Sequence, residues 1–147
     1  MYLISACLAG FCTRYDGELL EHDGLLRAVA LVRGGLAIPV CPEQLGGLPT
    51  PRKPVFFDIA DGEAVLDGKA KTLSADGEDF TDYLIRGAEE TLRIARLFGA
   101  DTAILKDGSP SCGVSRVNIG GQKTAGAGVT TALLRRHGIM VLSIDSI

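Results

Sequence analysis

Charge of neither sign dominates this chain, and it has no long apolar run. Fifteen lysines and arginines stand against 18 aspartates and glutamates, for a net charge of −3. That leaves no global basic excess for a nucleic-acid backbone. No hydrophobic stretch approaches the roughly 20 residues of a membrane span. The apolar start "MYLISACLAGF" has no basic region ahead of it and reads as a strand, not a signal peptide. Aromatics are sparse at 5%, tryptophan is absent, and no internal repeat, low-complexity tract or linker divides the chain. Tight C-x₂-C pairs are missing too, which excludes the zinc-ribbon and ferredoxin patterns.

What is present describes an ordinary globular protein. The 147 residues are 46% hydrophobic, enough for one domain (1–147) with a proper core. Four cysteines in a chain without a secretion signal are expected to stay reduced in the cytoplasm. Their uses are then metal ligation, redox chemistry or burial.

Four β-rich runs recur: "YLISA" (2–6), "LAIPV" (36–40), "TAILK" (102–106) and "IMVLSI" (139–144). Each is nearly continuous in apolar character, as strands buried on both faces should be. Helical patterns alternate with them. One is capped by Asp23, shows Leu25, Leu26, Val29 and Val32, and stops at Gly34-Gly35. A longer one covers about residues 78 to 98, with Phe80, Leu84, Ala88, Leu92 and Ala95 as its apolar stripe and Gly99 as its left-handed end. A third runs from about Gly128 to His137, with basic residues in its last turn where the dipole favours them. Two short runs flanking Asp61-Gly62 predict a small β-hairpin insertion at about 55–67. The expected fold is α/β: a single-domain three-layer sandwich around a mainly parallel sheet. In such sheets ligands gather outside the carboxyl ends of the strands.

The cysteines fall on that rim. Cys7 follows strand one, Cys41 follows strand two in "PVCPEQLGG", and Cys112 lies in the loop "LKDGSPSCGVS" that leaves strand three. Glycine permits the turns that bring a backbone close to a ligand, and proline fixes local geometry, so these loops suit a rigid site. Three thiols at one rim suit a metal centre with an open position. Zinc with water in the fourth place is one such centre; a cubane iron–sulfur cluster with one iron free is another. The plain alternative is that the thiols are small buried hydrophobes. Cys12 reads as structural on the same ground, with a fourth ligand or a resolving thiol as its alternatives.

The blocks "SACLAGFCTRYDG" (5–17), "PVCPEQLGGLPTPR" (39–52), "LKDGSPSCG" (105–113) and "GAGVTTALLRRHGI" (126–139) give the chain its resemblance. It resembles the domain-of-unknown-function 523 family, which includes thiouracil desulfidase, over essentially its whole length. The resemblance implies a [4Fe–4S] cluster held by three cysteines, mapping onto Cys7, Cys41 and Cys112, with one open iron. It implies that this iron takes the sulfur of a small thiolated compound such as a thio-nucleobase, and that water replaces the sulfur without net redox change. No nucleic-acid polymer or membrane is expected as a partner. The segment "VSRVNIGGQKTAGAG" departs from the family's tyrosine-and-aspartate version of that loop, so the substrate here is free to differ.

That chemistry assigns expectations to the neighbours. Glu43 is the first candidate for acid/base work, against a capping role at the turn "PEQLGG". Ser109 is placed with it as catalytic, and Ser111 as a substrate-binding hydroxyl, against a turn-forming role for both beside Pro110. Arg14, Arg52 and Lys106 are placed as cations that hold substrate or offset cluster charge. The backbone N–H groups of "GSPSCG" form a candidate anion nest. "TAGAGVTT" reads as a helix entrance at the cluster edge with secondary anion binding. Asp16, His22 and His137 are read as a turn residue, a neighbour of a helix cap and a helix-terminal cation. The rival readings are a zinc- or cysteine-dependent hydrolase on the same rim, or a non-enzymatic module that stores or senses iron–sulfur or sulfide.

Overall fold

The structure is a computed structural model and describes residues 1–147. In chain order it runs β1 (Tyr2–Ser5), a 3₁₀ turn (Ala6–Ala9), α1 (Leu25–Arg33), β2 (Ala37–Val40), α2 (Pro42–Leu45) and β3 (Val55–Phe57). It continues with α3 (Gly62–Leu66), β4 (Thr72–Ser74), α4 (Thr81–Phe98), β5 (Thr102–Ile104), β6 (Arg116–Ile119) and β7 (Gln122–Ala125). The chain finishes with α5 (Val129–Arg136), β8 (Met140–Leu142) and a 3₁₀ turn (Ile144–Ser146). No helix is long and apolar enough to cross a membrane.

The four apolar runs form one parallel sheet in the order β2-β1-β5-β8. Successive side chains point to opposite faces, and both faces are covered. Leu3 packs with Leu92 and Ala95 of α4 and Leu134 of α5. Its neighbour Ile4 packs with Ala28 of α1 and with Ile144 on the other side. Burying a side chain of this size contributes about 1.5–3 kcal/mol, so β1 is anchored on both faces of the sheet. From β1 the chain passes through α1 to β2 on one side, then through α4 to β5 on the other. The strand order therefore reverses at β1, which opens a crevice beyond its carboxyl end.

A second sheet, β4-β3-β6-β7, is mixed. β3 runs parallel to β6 and antiparallel to β4, and β6 and β7 form a hairpin. It shares a second core, built on Phe57, Val65, Leu84, Val117 and Val129, with α3, α4 and α5.

Several local expectations need correction. The inserted antiparallel pair exists, but β3 pairs with β4 at residues 72–74, outside 55–67. Asp61-Gly62 opens α3 instead of a hairpin turn: Asp61 Oδ1 accepts the Glu63 N–H at 3.1 Å, and Oδ2 accepts the Ala127 N–H at 2.9 Å. A Cβ on Gly62 would lie 2.4 Å from the Gly128 carbonyl carbon, so this glycine serves close helix packing. Helix α1 is capped by Gly24 and not by Asp23, and Leu26 is 82% exposed because the short helix lies on its Ala28 face. Helix α4 begins at Thr81, since Asp79 and Phe80 are still held against β4. The β6–β7 hairpin is new: Gly120 and Gly121, both at positive φ, make its tight turn.

One glycine contact fixes a thiol loop from behind. A Cβ at Gly87 in α4 would sit 1.9 Å from the Pro42 carbonyl oxygen at the start of α2. Gly87→Ala is expected to destabilise the protein by on the order of 1–3 kcal/mol through overpacking. The urea midpoint reads this directly, and an unchanged midpoint would show that α2 has slack.

Candidate metal centre and active site

Three strand ends deliver the thiols. Cys7 sits in the 3₁₀ turn after β1, which Gly10 closes in the left-handed region at φ +90°. Cys41 follows β2 directly and is the extended residue that enters α2, with Pro42 in the first helical position. Cys112 lies eight residues beyond β5, and that loop is held from inside. The Cys112 N–H donates to Ser109 Oγ at 2.7 Å and the Gly113 N–H to the Ser109 carbonyl at 2.9 Å. All three cysteines line one cavity of about 500 Å³. No disulfide joins them, and Cys112 is only 6% exposed. Cys12 is exposed on the surface and does not line the cavity, so burial does not explain it.

The loop carrying Cys112 is organised by a residue that sequence reasoning passed over. Asp107 Oδ1 accepts the N–H groups of Gly108, Val114, Ser115 and Arg116 at 2.8–3.0 Å, and Oδ2 accepts the Ser115 hydroxyl at 2.8 Å. Burial raises its pKa, but the hydrogen bonds from Ser115, Arg116 and Val114 outweigh burial and hold it at about 2. Because this lies below the ordinary 3.8, the carboxylate stabilises the fold fully above about pH 4 and loses that contribution as pH falls to about 2. Asp107→Ala should therefore lower the thermal midpoint at pH 6, with the gap to wild type narrowing toward pH 2. A pH-independent gap would assign the loss to packing.

The glycine-rich entrance to α5 braces the same loop. The N–H groups of Gly128, Val129 and Thr130 donate to the carbonyls of Gly113, Pro110 and Ser111 at 2.8–2.9 Å, and Thr131 Oγ1 donates to the Cys112 carbonyl at 3.0 Å. These amides are committed to protein carbonyls, which removes the anion-binding reading of "TAGAGVTT". In the expected nest, the N–H groups of Gly108, Cys112 and Gly113 are likewise committed within the loop.

The cavity environment opposes bare thiolates. Burial, with the neighbouring Cys41, pushes the Cys7 thiol up to about 11 against the lowering pull of Lys106 and Arg14. Burial pushes Cys112 up further, with Cys7, Cys41 and Glu43 adding to the effect and Ser5 opposing it. Thiolates at Cys7 and Cys112 would need a positive group to join them, and binding such a group would release their protons.

Glu43 is largely enclosed, its side chain 12% exposed, and lies at the cavity wall. Its Oε1 accepts Arg52 Nε at 2.9 Å and its Oε2 accepts the Ser111 hydroxyl at 3.1 Å. Ser109, Lys106, Arg14 and Arg52 also line the cavity; Ser111 stands behind its wall. Lys106 Nζ donates to the Asp107 carbonyl at 2.8 Å, and Arg14 pairs loosely with Asp16 at 3.7 Å. His22 donates to the Leu8 carbonyl and His137 accepts from Arg96, both away from the cavity.

Other lining residues were not foreseen. Arg116, Asn118 and Lys123 of the β6–β7 hairpin form one wall, and the Gly120-Gly121 dipeptide was the available signal for it. Thr13 lines the cavity as well, and its buried hydroxyl has no partner in the protein. No three His, Cys, Asp or Glu side chains come close enough to share a single metal ion.

The fold and sequence have close counterparts among known proteins. The structure of a [4Fe-4S]-dependent thiouracil desulfidase, TudS (DUF523Vcz), superposes with a TM-score of 0.84 at 42% identity, covering 99% of this chain and 91% of that one. YbbK of Bacillus subtilis (strain 168), itself uncharacterized, is 42% identical over 146 residues, 97% of this chain and 95% of its own length. The model of the 2-thiouracil desulfurase family matches residues 2–146. With that match spanning nearly every residue, the chain belongs to the 2-thiouracil desulfurase family.

Proposed function

We propose that this protein is a [4Fe–4S]-dependent, non-redox desulfidase that removes sulfur from small thiolated compounds such as thio-nucleobases. The observation that carries the proposal is the convergence of Cys7, Cys41 and Cys112, from three strand ends, on one cavity beside an enclosed carboxylate.

The donor set suits a cluster. Thiolates are the ligands that iron–sulfur clusters use. A cubane takes each cysteine at a different iron, so it does not need the close convergence on one ion that these side chains lack. Cys7, Cys41 and Cys112 would hold three irons. When bound, the cluster would supply a Lewis-acidic iron that polarises the carbon–sulfur bond of the substrate. The overall exchange is R₂C=S plus water giving R₂C=O plus hydrogen sulfide, with no oxidation or reduction.

The protein's own groups would handle water and protons. Glu43 accepts a proton from the water aimed at the thiocarbonyl carbon and returns it to the departing sulfur side. Ser109 holds the substrate's polar edge, and Lys106 and Arg14 offset the negative charge of the thiolates. The single-ion zinc reading is disfavoured by the thiol spacing. A nucleophilic role for Cys7 or Cys112 is disfavoured because burial raises both thiols well above their ordinary range. A reducing cytoplasm suits a chain whose cysteines are all free.

The test is an anaerobic assay of the iron- and sulfide-loaded protein with 2-thiouracil, read as sulfide release. Release that requires loading is the expected result. Loaded protein that frees no sulfide from any thioamide or thio-nucleobase would favour the binding module.

A further inference from the structure

Arg52 is enclosed, its side chain 5% exposed, and most of its guanidinium donors are in use within the protein. Nε donates to Glu43 Oε1 at 2.9 Å. Nη1 donates to Thr50 Oγ1 at 2.9 Å and to the Pro49 carbonyl at 3.3 Å. Nη2 donates to the Thr13 carbonyl at 2.9 Å and approaches Cys41 Sγ at 4.0 Å. An arginine has five N–H donors in a fixed planar fork; four donate to oxygens of the protein, and the fifth has only the long contact to the Cys41 sulfur.

Those partners lie on the loops that carry the thiols. Thr13 belongs to the segment after Cys7, and the Arg52 backbone N–H also holds the Tyr15 carbonyl there at 2.8 Å. Glu43 lies two residues past Cys41 and passes the connection on, its Oε2 accepting the Ser111 hydroxyl beside Cys112. The Cys41 thiol closes the circuit by donating to the Thr13 carbonyl at 3.7 Å. Buried networks in which each polar group is satisfied fix a unique arrangement of the elements they join.

We propose that Arg52 is a positioning residue, not a substrate ligand: through Thr13, Glu43 and Ser111 it clamps the three thiol-bearing loops into one unit. The clamp sets the mutual reach of the sulfurs before anything binds. It rests on the reading that the three thiols act together, and it assigns to Arg52 a task that lysine, a point charge without the fork, performs only in part.

The experiment compares Arg52→Met, Arg52→Lys and Ser111→Ala with wild type in the full chain, both metal-free and loaded. Hydrogen exchange of the metal-free chain is read over residues 11–15, 41–45 and 109–113. Losing hydrogen bonds to a charged group is expected to speed exchange roughly tenfold or more in all three segments of Arg52→Met together. Arg52→Lys should fall between that variant and wild type, and Ser111→Ala should loosen 109–113 alone. Val65→Ala, in the second core and away from the cavity, is the control for general destabilisation and should leave the three segments unchanged. In the loaded protein, Arg52→Met should lose iron to a chelator faster and show a lower kcat at similar KM.

Faster exchange confined to residues 49–52 would overturn the clamp. A raised KM with kcat and iron retention unchanged would overturn it in favour of substrate binding. If wild type takes up no iron at all, the cluster reading fails by itself, and the exchange pattern still decides the clamp. Should Arg52→Met not fold, Ser111→Ala and Arg52→Lys decide it alone.

Discussion

Alanine at position 7, 41 or 112 is expected to abolish iron loading and sulfide release outright, while Cys12→Ala retains both. A three-thiolate site has no spare ligand, so each loss leaves one iron without its protein anchor. The fold itself should survive. Cys7 and Cys41 are only partly buried, and Cys112 contributes one small side chain to a core of 11 buried residues. Removing so few atoms costs about 1 kcal/mol, within the usual stability margin of a single domain. Iron content and circular dichroism measured on the same samples separate the two effects. A variant at 41 that stayed folded and kept its iron would remove that thiol from the ligand set. The exposed position of Cys12 makes its replacement a control for non-specific thiol effects.

Glu43→Gln is expected to lower kcat by about 10²–10⁴-fold, the range for general acid–base groups, with iron content unchanged. The substitution keeps the shape of the side chain and, unusually, most of its bonding. The new amide oxygen accepts from Arg52 where Oε1 did, and the new NH₂ donates to Ser111, whose hydroxyl turns to accept. What is lost is the ability to take and return a proton. Unaltered turnover would leave Glu43 with its clamping contacts alone.

The sheet was legible because its strands are buried on both faces. Continuous apolar runs such as "YLISA" and "IMVLSI" admit few other readings, and the rule of strand carboxyl ends then placed Cys7, Cys41 and Cys112 on one rim. The stripe of Leu84, Ala88, Leu92 and Ala95 gave α4 its inward face. Where the reading failed, long-range contacts overrode local signals. Asp61-Gly62 has the composition of a tight turn, but Gly62 serves an approach to Gly128 that no local pattern reveals. Leu26 fits a helical stripe, yet Ala28 is the residue that meets the sheet. The roles of Asp107 and Arg52 depend on N–H groups and carbonyls many residues away, and those partners exist only once the loops have met.

The most direct test is a crystal structure of the anaerobically loaded protein, with iron located by its anomalous scattering. The expected result is a four-iron cluster in the cavity, bonded to the sulfurs of residues 7, 41 and 112, with no protein ligand on the fourth iron. A single metal ion there, or a cluster bonded to Cys12 in place of any of the three, would contradict it.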